Sequence, residues 1–519
     1  MADWSQGYVT DIHYSHGFYR ETTPALIRFA LLMAGIAPPS EDRFAYCELG
    51  FGQGFGANLL AASNPGGDFW GTDFLPAHAA NAQQLATQAG LTNAHWFDDG
   101  FDEFARRDLP QFDFIVLHGV YSWVGAAGRA SIVAFLRQHL KVGGAVYLSY
   151  NTLPGWAPAM PTRALLTQFA RGQGAGLPVQ RRLEAAIAFA QKVAELPTGY
   201  FKVNPSAADE VKKLEQQELR YIAHEYMNAH WEPLFFADVA RDLADAKLEF
   251  AGPADPAQHE QSLFLPNEAA ALIDTIADPV LAQTVRDFAI NQRFRRDLFI
   301  RGARRLAPLQ QLNLLLRTPV ALVRPRAQCT LEVATPVSKA TLPEDVYLPI
   351  FDRLAEGPCT GEELLTLPAL KELPPARMAR TMAVLVGASF AAPCLPPAAR
   401  AGARESARRM NAAIIAQTRE GGPDLDFLAS PVIGSGVTHT RTNRLFLDWV
   451  QGGGEPSVQA CARHAWSFLQ RLGTRVKKEG KTLQSPEDNL RELEAVAGPW
   501  LKSLPELRHL GLIDAPPGQ

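Results

Sequence analysis

"RFAYCELGFGQGFGANLLAAS", residues 43–63, holds the pattern that decides the fold. An apolar run ends in Glu48, glycines follow at 50, 52 and 54, and a helix-like apolar stretch begins at once. A strand that passes through a glycine turn into a helix opens a βαβ unit and leaves backbone N–H groups at the helix start. The same alternation continues on the C-terminal side. "DFWGTD" (68–73) reads as a strand, and "PAHAANAQQLATQAG" (76–90) as a helix with Pro76 near its start and Gly90 at its end. "AHWF" (94–97), the continuously apolar "FDFIVL" (112–117) and "GGAVYLSY" (143–150) are further strands, with a helix over 129–140 before the last. On the N-terminal side, 23–34 is a helix closed by Gly35 and the pair Pro38-Pro39. Strict alternation of this kind predicts a parallel sheet with helices on both faces.

Beyond Trp156 the pattern becomes helical through about 218, then "LFFADVARDLADAKLEFAG" (234–252) reads as a helix feeding a strand and "NQRFRRDLFIRG" (291–302) as one more strand. The chain divides into 1–155, a helical insertion 156–218, a segment 219–310 that completes the first sheet, a module 335–400 and an end piece 405–519. The module reads as two or three helices ending in a short Pro-bounded hairpin, a winged-helix-like pattern, and the Ala/Pro/Arg stretch 396–404 as a linker. The end piece is mixed and mostly helical.

A chain of 519 residues exceeds one core, and 47% apolar with 20% charged residues describes an ordinary globular protein. A net charge of −4 gives no electrostatic case for nucleic acid, and the winged-helix-like module carries no Lys/Arg cluster that would bind DNA. No run is apolar enough to insert in a membrane, and the N-terminal twenty residues show no leader pattern. Five scattered cysteines without CxxC spacing suit a reducing compartment, so the expected location is cytoplasmic.

The glycine loop is neither a P-loop, which needs Gly-Lys-Ser/Thr, nor the dinucleotide fingerprint, which needs a small residue where Phe55 stands. Glu48 at the strand end repels phosphate and suits a cationic amino-acid ammonium, the group that S-adenosylmethionine carries in place of a phosphate. Asp73 ends the second strand, where an acid takes ribose hydroxyls, and Asp98 and Asp99 follow the third, where one of them takes the adenine amino group. The plainer readings are a helix cap for Asp73 and turn residues for the pair. The cofactor set is thus Glu48, Gly50, Gly52, Gln53, Gly54, Asp73, Phe74 and Asp98 or Asp99, with His118 contributed by the fourth strand.

These residues stand among longer strings: "ELGFGQGFGANL", "HGVYSWV" (118–124), "SYNTLPGW" (149–156), "HEYMNAHWEPLFF" (224–236) and "FRRDLFIRG" (294–302). With them the sequence resembles class I S-adenosylmethionine-dependent methyltransferases that carry a methyltransferase regulatory domain. Among these it looks most like the rickettsial-type protein lysine methyltransferases that act on outer-membrane surface proteins. The resemblance runs over most of 10–310 and implies a Rossmann-like domain, a helical middle region and a further C-terminal domain, often in a homodimer. It places the regulatory domain at 219–302. It departs from the family at Phe51-Gly52, where Cys-Gly is common.

The function expected is methylation of lysine side chains on a protein substrate, with methylation of a small molecule or peptide natural product as the alternative. An amine acceptor needs a desolvated slot that favours its neutral form. Tyr121, Trp123, Tyr150 and Trp156 are the candidates for its walls, and Asn151 for holding the amine. Core packing is the plain alternative for each ring. "HEYMNAH" sets its histidines six apart, not the four of a zinc helix, so His224 and Glu225 read as a structural pair or as cleft lining. "FRRDLFIRGARR" reads as a solvated strand edge with ion pairs, or as a patch for an acidic substrate.

Overall fold

The computed structural model of the chain describes residues 16–514 apart from 198, 218 and 336–338. The leaderless reading of the N-terminus therefore falls largely outside the described residues. Among the described residues no helix is long and apolar enough to cross a membrane.

Seven strands build the central sheet: β1 Phe44–Leu49, β2 Gly67–Thr72, β3 Ala94–Phe97, β4 Phe112–Leu117, β5 Leu140–Asn151, β6 Glu249–Pro253 and β7 Phe294–Ile300. Their order is β3-β2-β1-β4-β5-β7-β6. The first five run parallel, and β7 is antiparallel to both β5 and β6. This is a Rossmann-like sheet with one antiparallel strand inserted, and the strands expected at 234–252 and 291–302 close it.

Alternation along each strand sends side chains to two cores. Tyr46, Phe114, Val116 and Tyr147 pack on one face with helices Phe55–Ser63 and Pro76–Gln88. Cys47, Ile115, Leu117, Val146 and Leu148 pack on the other with helices Ala126–His139 and Phe236–Ala244. The first core does not stop at the sheet. Met410, Ile414, Phe446, Trp466 and Leu493 of the C-terminal third belong to it. A separate core joins Leu26 and Phe29 of the helix Pro24–Met33 to residues 315–391, and another fills the helical region around Trp156.

Three expectations are corrected here. The supposed linker 396–404 is the start of a 23-residue helix, Pro397–Arg419. Proline fits a first helical turn and Ala/Arg runs favour helix, while Ala403, Ala407, Met410 and Ile414 form a buried stripe. The Pro-bounded hairpin is not local. Ala391–Pro393 pairs antiparallel with Val320–Leu322, which precedes the helices it was expected to follow. Finally, "FRRDLFIRG" is no solvated edge, because β7 lies between β5 and β6. Arg295 is buried there, pairing with Asp287 at 2.6 Å and Asp297 at 2.7 Å.

Gly54 starts the helix Phe55–Ser63 at φ +70°, and a Cβ there would lie 2.3 Å from Ala82 Cβ. Gly119 has φ +67° with nothing within 4 Å. Left-handed backbone costs either Gly→Ala change about 1–2 kcal/mol. Overpacking adds about 1–3 kcal/mol at Gly54 alone. Gly54→Ala is therefore expected to lower the melting temperature clearly more than Gly119→Ala in parallel thermal melts.

Candidate functional site

Parallel strands bring their carboxyl ends to one edge of the sheet, and the loops beyond β1 to β4 enclose a cavity of about 780 Å³. Six of its lining residues are acids, Glu48, Asp73, Asp98, Asp99, Asp102 and Glu103, against a single Arg or Lys, Arg106. The setting repels phosphate and attracts a cation.

Glu48 is 8% exposed, and its Oε2 has no hydrogen-bond partner among the described residues. Burial, and then the neighbouring Asp73, push its pKa up to about 8. Asp73 is held from three sides. The Gly52 N–H donates to Oδ2 at 2.8 Å, the Leu75 N–H donates to Oδ1 at 3.1 Å, and His78 Nδ1 lies 3.0 Å from Oδ1. The helix Pro76–Gln88 begins at Leu75 without a side-chain cap bond, so Asp73 does not cap it; its carboxylate orders the loop and lines the cavity. Gln53 Oε1 accepts from Asn81 Nδ2 at 2.7 Å, which fixes the loop to the next helix. Gly50, Gly52, Gln53 and Phe74 line the cavity, whereas Gly54 does not; its place is helix packing.

Asp98 and Asp99 differ. Arg107 forks onto the Asp99 carboxylate, with Nη2 donating to Oδ1 at 3.0 Å. Asp98 lines the same cavity, near Arg107 in charge but outside its fork onto Asp99.

At the β4 end, the His118 ring stacks on Tyr19, centroids 3.5 Å apart at 18°. His118 Nδ1 meets the Tyr147 hydroxyl at 2.8 Å, and the Gly119 N–H donates to Ser149 Oγ at 2.8 Å. Burial, and then the charge of Arg296, lower the His118 pKa to about 3, so the imidazole is neutral. Among the acceptor-side candidates only Trp123 lines this cavity, half-buried. Tyr121 is fully buried and turns to the opposite core, its hydroxyl donating to Asp242 Oδ2 at 3.2 Å. Tyr150 is buried too, donating to Asp297 Oδ2 at 2.8 Å. Asn151 Nδ2 donates to Glu225 Oε1 at 2.9 Å, an oxygen that also accepts from Trp231 Nε1 at 3.1 Å. Trp156 belongs to the helical core beneath Arg293. None of these four lines the cavity: Tyr121, Tyr150 and Asn151 spend their polar groups on Asp242, Asp297 and Glu225, and the Trp156 ring packs in the helical core.

Sequence reasoning missed Tyr19, Thr22 and His230, all of which line the cavity. Tyr19 lies outside the strand–helix pattern, and its only signal was an aromatic pair, Phe18-Tyr19, next to a glycine. His230 stood in a string weighed for zinc and set aside.

Residues 47–146 match the family described as "Methyltransferase domain", and 218–301 the one described as "Predicted methyltransferase regulatory domain". An uncharacterized protein of Synechocystis sp. is 37% identical over 511 residues, covering 98% of this chain and 99% of that one. A second, from Rickettsia prowazekii, is 23% identical over 305 residues, 56% of this chain and 51% of its own. Among solved structures, PKMT2 from Rickettsia typhi in complex with AdoHcy has a TM-score of 0.66 at 17% identity, covering 95% of this chain and 99% of that one. Identity that low speaks for the fold.

The raised pKa of Glu48 has a consequence for stability. An acid with a folded pKa near 8 and an unfolded value of about 4.3 stabilises the fold fully below the lower value. That contribution drains away as pH rises through the window and is gone above the upper value. The melting temperature of ligand-free Glu48→Gln should therefore gain on wild type steadily from pH 5 to about 8 and then hold level, as thermal melts across pH will show.

Proposed function

We propose a function from one premise: the chain belongs to the class I S-adenosylmethionine-dependent methyltransferases that carry the methyltransferase regulatory domain. It is an S-adenosylmethionine-dependent methyltransferase, and its acceptor is the side-chain amine of lysine in a protein substrate. The observation that carries the acceptor reading is the wall at the β4 end. There an acidic cavity without a free Lys meets a neutral His118 sandwiched under Tyr19. Such a wall does not repel an approaching cation, and its dry aromatic surface lowers the pKa of a lysine that enters it.

The cofactor supplies a methyl group on a sulfonium centre. Glu48, with its unpartnered Oε2, takes the ammonium; Asp73 takes the ribose hydroxyls; Asp98, outside the Arg107 fork onto Asp99, takes the adenine amino group. Trp123 excludes water from the acceptor side. The wall's part would be to hold the acceptor amine neutral, its lone pair free to accept that methyl group. Five cysteines, all buried and free, fit a cytoplasmic location.

The deciding experiment incubates the enzyme with methyl-labelled cofactor and an extract of cells lacking this protein. Label is expected in protein bands, recovered as methyl-lysine after hydrolysis. Label confined to the small-molecule fraction would refute the lysine reading. Two variants sort the roles. Asp73→Ala should lose roughly 1.5–3 kcal/mol of cofactor affinity by calorimetry, as a buried charge-assisted contact does. Trp123→Ala should fold, bind cofactor near normally and label protein poorly, whereas full labelling would remove Trp123 from the acceptor side.

A further inference from the structure

A second cavity, about 910 Å³, lies behind the cofactor cavity, and a single stretch of chain parts the two. Gly17 and Thr22 line the first; Phe18, Arg20, Glu21 and Thr23 line the second; Tyr19 lines both. The partition is therefore one chain thick, and the ring that sits in it is the ring stacked on His118. The far walls come from beyond the catalytic sheet: Val323, just after Val320–Leu322, Ala392 of the strand paired with it, Val437 of the hairpin formed by Phe427–Ser430 and Ser435–Thr438, and Trp500 and Leu507 of the helices Pro486–Lys502 and Leu504–His509.

Position along the cofactor cavity matters. Asp98 stands at the end of β3 and His118 at the end of β4, with β2 and β1 between them. Strand spacing puts these two ends about 14 Å apart. With adenine at the β3 end, the reacting end lies towards β4, where Tyr19 forms the wall. The second cavity thus adjoins the end of the site where the methyl group leaves.

Its chemistry suits a chain segment bearing an amine. Both guanidiniums that line it are engaged. Arg20 donates to the Val386 and Gly387 carbonyls at 2.8 and 2.9 Å, and Arg324 donates to the Ala388 carbonyl while lying over Phe390. Glu21 lies only loosely against Arg20 and Arg296, at 3.7 Å from each. Its carboxylate is the acid nearest to the partition in sequence. Trp500 is buried with Nε1 lacking a hydrogen-bond partner among the described residues, a donor suited to a peptide carbonyl. The remaining surface is largely aliphatic and aromatic.

We infer that this cavity is the docking chamber for the polypeptide segment that carries the acceptor lysine, which reaches the cofactor past Tyr19. This rests on the lysine reading above and adds where the substrate sits: against the C-terminal third, outside the cofactor cavity.

Ala495 and Val496 line the chamber from exposed positions on the helix Pro486–Lys502, so large side chains there fill it without disturbing a core. Ala495→Trp and Val496→Trp are compared with Arg491→Trp, an exposed position on the same helix that does not line the chamber. The probe is the labelled-cofactor assay on cell extract, beside calorimetry with S-adenosylhomocysteine. Both filled variants are expected to label protein about tenfold more slowly or worse, with binding of S-adenosylhomocysteine and the control's labelling each within about twofold of wild type. Wild-type labelling by either filled variant overturns the chamber. Loss of S-adenosylhomocysteine binding in both also overturns it, since the cavity would then belong to the cofactor site. Wild-type enzyme that labels no protein sinks the lysine reading itself, a result read before any variant is made.

Discussion

Two carboxylates side by side in a dry site govern the catalytic half of this protein. Glu48 and Asp73 end neighbouring parallel strands, and parallel pairing leaves them no choice but to share an edge. Burial first, and then the charge of Asp73 beside it, push the Glu48 pKa up. The glycine loop answers that charge, since the Gly52 N–H reaches Asp73 only because the chain folds back tightly after β1. What remains is a site with an unpartnered carboxylate oxygen and almost no positive charge around it. Such a site is incomplete until a cation arrives, and a sulfonium compound bearing an ammonium completes it.

The rest of the chain stiffens that edge. The matched regulatory segment contributes β6 and β7 to the sheet itself, so it is continuous with the catalytic core. Its Arg295 joins Asp287 and Asp297 in a buried cluster, and Tyr150 of β5 donates into the same Asp297. Removing one partner from a buried network of this type leaves charge stranded, so the cluster fixes how β5 and β7 meet. From the opposite face, the C-terminal third shares a core with Tyr46 and Tyr147. Tyr147 is also the hydroxyl that meets His118. Packing of the C-terminal third therefore reaches the β4 end through one side chain.

This arrangement explains what the sequence could disclose. That Glu48, Asp73, Asp98 and Asp99 would gather at one cavity was legible because topology alone sends strand ends to one edge, whereas Gly54 turned out to serve helix packing. The acceptor side was not legible. Tyr150 and Asn151 end β5 and Tyr121 lies in the turn after β4, but which way each side chain faces depends on partners far along the chain: Asp297, Glu225 and Asp242. No local pattern announces those partners. The stretch 396–404 misled for a related reason. Its proline and arginines suit a linker in isolation, and only the buried stripe that continues to Ile414 reveals a helix. Arg295 likewise reads as solvent-facing until β6 is laid beside β7.

The two halves of the site are consequently built by different means. The cofactor side is assembled from short loops, so its geometry is set once the sheet forms. The acceptor side as proposed would draw on a strap before the first long helix, a wall after β4 and elements more than 300 residues further on, which the Arg20–Val386 hydrogen bond ties to the strap. Local assembly gives a rigid grip on a small ligand of constant shape, whereas long-range assembly gives a surface that forms only when every domain is in place. A methyl donor needs the first, and the protein acceptor proposed above would need the second. Tyr19, stacked on His118 and exposed to both cavities, is where the two modes of construction meet. Neither of its neighbours in the strap belongs to the sheet's hydrogen-bond ladder, so this junction is built outside the sheet.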